Sequence, residues 1–324
     1  MRSILRRRIV AGGIASAFAP AVFAQAYPAR PVRIIVPFAP GGGVDIITRM
    51  IAEKLQLAWG QAVIVENRAG GGGTIGTDAV AKAVPNGYTL LMGYVGNLAI
   101  NPWLVAKLPY DPVKDFAPVC LTTTAPSLLV THPSLPVTTA KELVALAKAK
   151  PGSLSYASSG NGTVGHLVAE MFKSVTGTDM VHVPYKGNPL AVSDLLGGHV
   201  HVMFSAPSAA MPFVQKKQLR VLAVTGTHRL PELPDTPTFA EAGYPKVDAS
   251  GWYGVMAPAG TPKEIITLLN KELVRIMALS DIKDRLAALG YAVESSTPEE
   301  FAQIIKADLV KWREVVRISG AKSD

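Results

Sequence analysis

From Val32 onward, short β-rich runs alternate with apolar-periodic stretches of about 10–15 residues, and that alternation points to α/β architecture with crossover helices. The run at 32–36 (VRIIV) reads as a strand, and 44–57 as a helix with Ile46, Ile47, Met50, Ile51, Lys54 and Leu55 spaced by threes and fours. Strand, helix and strand follow at 62–66, 74–84 and 88–92. A second series has strands at 128–130, 154–157, 181–183, 200–204 and 220–224, with helices at 139–149, 164–175 and 189–196. Helices at 262–278, 281–289 and 298–318 end the chain, each opened by Pro or Asp in its first turn. Two such series in 324 residues predict two lobes. The crossings fall at 116–126 and 251–256, dividing the chain into lobe 1 (27–120 and 254–324) and lobe 2 (121–253). A ligand is then expected between the lobes, outside the C-terminal ends of the strands.

A formal charge of +8 raises the possibility of a polyanionic partner, so its location matters. Arg2, Arg6, Arg7 and Arg8 precede an uncharged stretch of 21 residues, 9–29, that contains small residues around Ala24 and Ala26. This is a secretory signal layout over 1–26, with cleavage after Ala24 or after Ala26 both fitting. Leu5-Arg6-Arg7-Arg8 fits a twin-arginine signal as well as a general one, so the export route stays open. Removing the four arginines leaves +4 spread along the chain, and no nucleic-acid partner is expected. Cys120, the lone cysteine, excludes an internal disulfide or a cysteine metal cage.

Four strand-to-helix turns are rich in Gly, Ser and Thr. The first, 37–45, contains Phe38, Gly42, Gly43 and Asp45; its glycines free N–H groups at a helix start, making an anion seat without a charged side chain. Asp45 suits a helix cap or a direct ligand. The second, 67–76, contains Gly72, Gly73 and Thr74 and spells G-x-G-x-x-G, yet no acid lies between Asp78 and Asp111, where a dinucleotide site needs one. What remains is a second ring of N–H donors, with no cofactor expected. The third, 158–163, offers Ser158, Asn161, Gly162 and Thr163 as donors or caps. In the fourth, Tyr185 offers a phenol and Lys186 a charge at the rim.

Catalytic patterns are weak. The six histidines (132, 166, 182, 199, 201, 228) are scattered, and no metal site is expected from them. Ser158 or Ser159 with His166, oriented by Glu170, is the one nucleophile arrangement the spacing allows for an exported hydrolase. Trp252 and Tyr253, at the second crossing, suit either a ligand wall or core packing.

The ordered set of these loops is more specific than any one of them. Pro37-Phe38-Ala39-Pro40-Gly41-Gly42-Gly43-Val44-Asp45, Val65-Glu66-Asn67-Arg68-Ala69-Gly70-Gly71-Gly72, Asn86-Gly87-Tyr88-Thr89-Leu90, Tyr156-Ala157-Ser158-Ser159-Gly160, Val183-Pro184-Tyr185-Lys186-Gly187 and Pro234-Asp235-Thr236-Pro237-Thr238 together resemble the Bug family across the chain after the signal. That family comprises periplasmic receptors of tripartite tricarboxylate transporters. The resemblance implies a two-lobed, type II-like periplasmic binding protein that closes like a flytrap, each lobe a mixed, mainly parallel sheet flanked by helices. It implies a monomeric, non-enzymatic receptor for a small carboxylate, held by main-chain N–H groups and ordered water, with one large and one small membrane subunit as partners. A ligand sensor acting without transport is the alternative role. Where the family often carries an Asp after Met203-Phe204, and another two residues before Met203, this chain has Ser205 and His201. Ser205 hydrogen-bonds but cannot neutralise an ammonium group, so a di- or tricarboxylate or aromatic acid is expected rather than an amino acid.

Overall fold

The computed structural model describes residues 27–185, 187–226, 228–247 and 249–321; the expected signal segment with its cleavage points, and Lys186, lie outside them. The first series forms β1 (Val32–Val36), α1 (Gly43–Trp59), β2 (Val63–Asn67), α2 (Thr74–Ala81), β3 (Thr89–Tyr94), α3 (Asn101–Leu104) and β4 (Phe116–Ala125). The second forms β5 (Leu128–Thr131), α4 (Ala140–Ala149), β6 (Ser155–Ser158), α5 (Val164–Thr176), β7 (Val181–Pro184), α6 (Asn188–Leu196), β8 (Val202–Ser205), α7 (Pro207–Gln215) and β9 (Arg220–Val224). The chain ends with β10 (Gly251–Pro258), α8 (Lys263–Met277), α9 (Ser280–Ala287), β11 (Ala292–Val293) and α10 (Pro298–Ser319).

Two sheets result, ordered β11-β4-β10-β3-β1-β2 and β7-β6-β8-β5-β9. Each contains a parallel trio, β2-β1-β3 in one and β7-β6-β8 in the other. The remaining pairings are antiparallel, so the sheets are evenly mixed rather than mainly parallel. In the first sheet the crossing strands cause this, since β4 and β10 run side by side there instead of hanging between the two; in the second, β5 runs antiparallel to both β8 and β9. The chain leaves that sheet after Ala125 and re-enters it at Gly251, so 121–125 and 251–253 belong to the first sheet.

Local chemistry accounts for the elements. Val44, Ile47, Met50, Ile51 and Leu55 form the buried stripe of α1, which stops at Gly60 in the left-handed conformation (φ 63°). Helices α4 and α10 start with complete capping boxes, Thr139/Glu142 and Thr297/Glu300. Helix α10 buries Phe301, Ile305 and Trp312 and packs on both β4 and α5, tying the two sheets together. Sequence reasoning missed α7, which carries Pro212 inside it and Pro207 at the first turn, where no N–H is needed. It also missed the short helical turn at 96–100 that leads into α3. Among the described residues, no helix is long and apolar enough to cross a membrane.

Candidate functional site

The C-terminal ends of β1 and β2 carry the first two loops. At the start of α1, Gly42 is the N-cap and provides no side-chain cap, so the N–H groups of Gly42, Gly43 and Val44 are those an α-helix leaves without internal partners. The Gly41 N–H donates to Asp45 Oδ2 at 2.9 Å. Asp45 is buried and accepts from Arg49 Nε (3.0 Å) and Asn67 Nδ2 (2.9 Å), while Asn67 Nδ2 also donates to the Phe38 carbonyl. Burial pushes the Asp45 pKa up, but hydrogen bonds from Arg49, Gly41 and Asn67 outweigh it and hold the carboxyl below the usual range. Asp45 is therefore a clamp fixing the first loop to the end of β2, with its oxygens taken by protein donors, and not the helix cap.

The second loop is tighter than expected. Gly70 to Gly73 all have positive φ, 134°, 55°, 61° and 92°, which only glycine tolerates in series. The Gly73 and Ile75 N–H groups donate to the Gly70 carbonyl and the Thr74 N–H to that of Gly71. Gly73 and Thr74, two of the three residues expected here, thus turn their N–H groups inward, and Gly72 is the one these bonds do not use. From behind, Asn101 Nδ2 donates to the Gly72 carbonyl (3.0 Å) and reaches Thr74 Oγ1, and Thr77 Oγ1 donates to the Gly73 carbonyl (2.8 Å). A Cβ at Gly73 would stand 3.0 Å from the Phe38 ring.

The third loop follows β6. Ser158 is fully buried, its Oγ 2.7 Å from His182 Nε2, and Gly162 N–H donates to His166 Nδ1 (3.0 Å). The two imidazoles stack 4.0 Å apart, with Tyr156 beyond His182. Burial holds the His166 pKa below its usual value, with Glu170 pulling up and Lys173 down, which suits a neutral acceptor. Glu170 is engaged by Tyr156 and Lys173, so the Ser158–His166–Glu170 arrangement does not form. Thr163 is the N-cap of α5 without a side-chain cap; its hydroxyl donates to the Gly160 carbonyl. Asn161 lies beside it, half-buried.

Two residues singled out in the sequence are engaged by protein partners. The Tyr185 hydroxyl donates to Asp194 Oδ2 at 2.6 Å, and burial together with that carboxylate pushes its pKa up to about 12, so its proton is committed to α6. His201 Nδ1 accepts from the Ser155 N–H at the N-terminal end of β8, so of the two departures only Ser205 stands at the cleft end. Ser205 is buried, and its hydroxyl donates to the Ala206 carbonyl.

Between the sheets lies a cavity of about 40 Å³, so a ligand larger than a few waters requires it to widen. Tyr94, Gly251 and Tyr253 line it from the first sheet; Val164, Asn188, Phe204 and Ala206 from the second; Ser127 and Ser159 add hydroxyls. None of the residues expected to bind ligand is itself in this wall. Its members are their neighbours: Ser159 beside Ser158, Val164 beside Thr163, Ala206 beside Ser205. Gly43 approaches through Tyr253, whose hydroxyl is 3.2 Å from where a Gly43 Cβ would stand, and Phe38 through Tyr94, ring centroids 5.8 Å apart. Tyr253 is a wall residue, stacked on Tyr94, whereas Trp252 faces away onto Phe301 and donates to Asp308. Sequence reasoning missed Tyr94 and Asn188; the signal available was position, at the end of the third parallel strand and the start of α6.

No charged side chain lines the cavity among the described residues. Val164 and Asn188 open α5 and α6, and Ala206 precedes α7, all three helices starting without a side-chain cap. Helices α8 and α9 also start without one, so what sets α5, α6 and α7 apart is their convergence on one cavity. No group of three or more His, Cys, Asp or Glu is placed to hold a metal among the described residues.

Residues 47–320 match the family model described as "Tripartite tricarboxylate transporter family receptor". Among curated proteins, BugT of Bordetella pertussis is 41% identical over 302 residues, covering 93% of each chain. Among solved structures, the R. palustris protein Rpa4515 with adipate is 36% identical with a TM-score of 0.86, covering 91% of this chain and 99% of that one. MatC from Rhodopseudomonas palustris with bound malate is 33% identical with a TM-score of 0.82, covering 90% and 100%.

Proposed function

Since the chain belongs to the tripartite tricarboxylate transporter receptor family, we propose that it captures a small carboxylate, a di- or tricarboxylate or an aromatic acid, between its sheets for delivery to the membrane. The observation that carries this reading is a cavity without a charged side chain, walled by aromatic rings and met by uncapped helix N-termini. Neutral N–H groups satisfy an anion there at low desolvation cost, and the rings accept an apolar middle. The absence of Asp and Glu from the described wall supports a ligand without an ammonium group, in keeping with Ser205. Adipate and malate, bound by two similar proteins, are both dicarboxylates.

The first loop, with Gly42 and Gly43, is the seat for one carboxylate, and the helix starts near Ser159, Val164 and Asn188 receive the far end. Phe38, Gly72, Gly73 and Thr74 shape the seat, while Ser158, Asn161, Gly162 and Thr163 hold the third loop in place. The lobes pivot near 126–127 and 249–250. A ligand touching both favours the closed arrangement by its differential affinity, and that form docks on a large and a small membrane subunit as an exported, periplasmic monomer. Native mass spectrometry of the protein as purified tests this. A co-purifying carboxylic acid without an amino group is expected; a co-purifying amino acid overturns the ligand class.

A further inference from the structure

Tyr291, in the turn between α9 and β11, is buried, and its hydroxyl lies 2.8 Å from Ser208 Oγ in the first turn of α7. The pair joins the first sheet's terminal helices to the second sheet's ligand-facing helix across 83 residues of sequence. The same turn is pressed against α7 by its backbone, since a Cβ at Gly290 (φ 74°) would stand 2.4 Å from Pro207 Cβ. The Tyr291 hydroxyl also lies where a Gly43 Cβ would fall, 2.1 Å away, beside the uncapped first turn of α1. Tyr253, which lines the cavity, packs edge-on against Tyr291 with ring centroids 5.7 Å apart. One hydroxyl therefore touches the first anion seat, the cavity wall and the opposite lobe.

We propose that Tyr291 and Ser208 form a closure latch: their hydrogen bond holds part of the population closed without ligand, and Tyr291 joins that contact to the seat at Gly43. The inference rests on the receptor reading above for what closure is for, but the latch is testable without a ligand. A glycine at position 43 gives the hydroxyl its place over the helix start, and Gly290 lets the turn reach Pro207. Opening the lobes separates Tyr291 from Ser208, while Tyr253 stays with Tyr291 because both belong to the first sheet. Ligand and latch then favour the same arrangement, so a seat already partly closed loses less freedom on binding.

The test is an interlobe distance measurement by double electron–electron resonance, with nitroxides on Leu57→Cys and Val181→Cys, which are 74% and 52% exposed and lie on α1 and β7; Cys120 is buried. Without ligand, the parent shows a short-distance population. Tyr291→Phe and Ser208→Ala each lower its ratio to the open form about fivefold, the shift expected from one hydrogen bond. The double variant falls no further than either alone, because both remove the same bond. Unchanged ratios, effects that multiply in the double variant, or no short-distance population in the parent overturn the latch. A carboxylate screen that fails while these ratios shift removes the ligand reading and leaves the latch standing.

Discussion

Gly43→Val is expected to abolish the stabilisation that a bound carboxylate confers, while the protein still folds. Gly43 is the first residue of α1 and does not have positive φ, so a branched side chain is compatible with the helix itself. Its Cβ would stand 2.1 Å from the Tyr291 hydroxyl and 3.2 Å from that of Tyr253, so two buried rings must shift to admit it and the Tyr291–Ser208 bond is lost as well. The added methyls then fill the space above the N–H groups of Gly42, Gly43 and Val44. At a ligand concentration 100 times the dissociation constant, the wild type gains about 2.7 kcal/mol, which corresponds to a rise of about 4 °C in Tm for a chain of this size. The variant is expected to show none of this rise in a thermal-shift titration. A retained rise would place the carboxylate elsewhere.

Asp45→Ala is expected to destabilise the fold by about 2–3 kcal/mol in urea unfolding, since removing an ionised acceptor leaves its donors unsatisfied. The donors are the Gly41 N–H, the Asn67 amide and Arg49; the last is half exposed and recovers water, which limits the loss. The pH dependence has a definite sign. The folded-state pKa of Asp45 is lowered, so its contribution is complete above the unfolded-state value near about 3.9 and is lost as pH falls through the lower folded value. Stability should therefore drop on acidification below about pH 4, and Asp45→Asn should flatten that part of the curve. An Asp45→Asn curve as steep as the wild type would show that the clamp does not titrate this way.

The glycine-rich loops were legible in the sequence because their physics is local: a run of four residues at positive φ, or a glycine opening a helix, needs nothing distant to be read. The strands and most helices were legible for the same reason, through period and capping. Partners were not. Tyr185 offers a phenol in any reading of its loop, but Asp194 on the following helix takes the proton. Ser158 is paired by His182 from the neighbouring strand rather than by the nearer His166. Tyr291 carries no local signal at all; it gains meaning only when α7, itself carrying two prolines, folds against the turn that holds it. The even mixture of parallel and antiparallel pairings likewise follows from where β4 and β10 dock in one sheet and β5 in the other, long-range choices that strand patterns do not record.

On the proposed reading, neutral N–H groups around the uncharged cavity between the sheets select a carboxylate that lacks an ammonium group. Thermal-shift titration against adipate, malate, citrate and benzoate, beside aspartate and glutamate, tests it most directly. A clear rise in Tm with at least one of the simple acids, and none with the two amino acids, is the predicted result. A rise with aspartate or glutamate and none with the simple acids would contradict it.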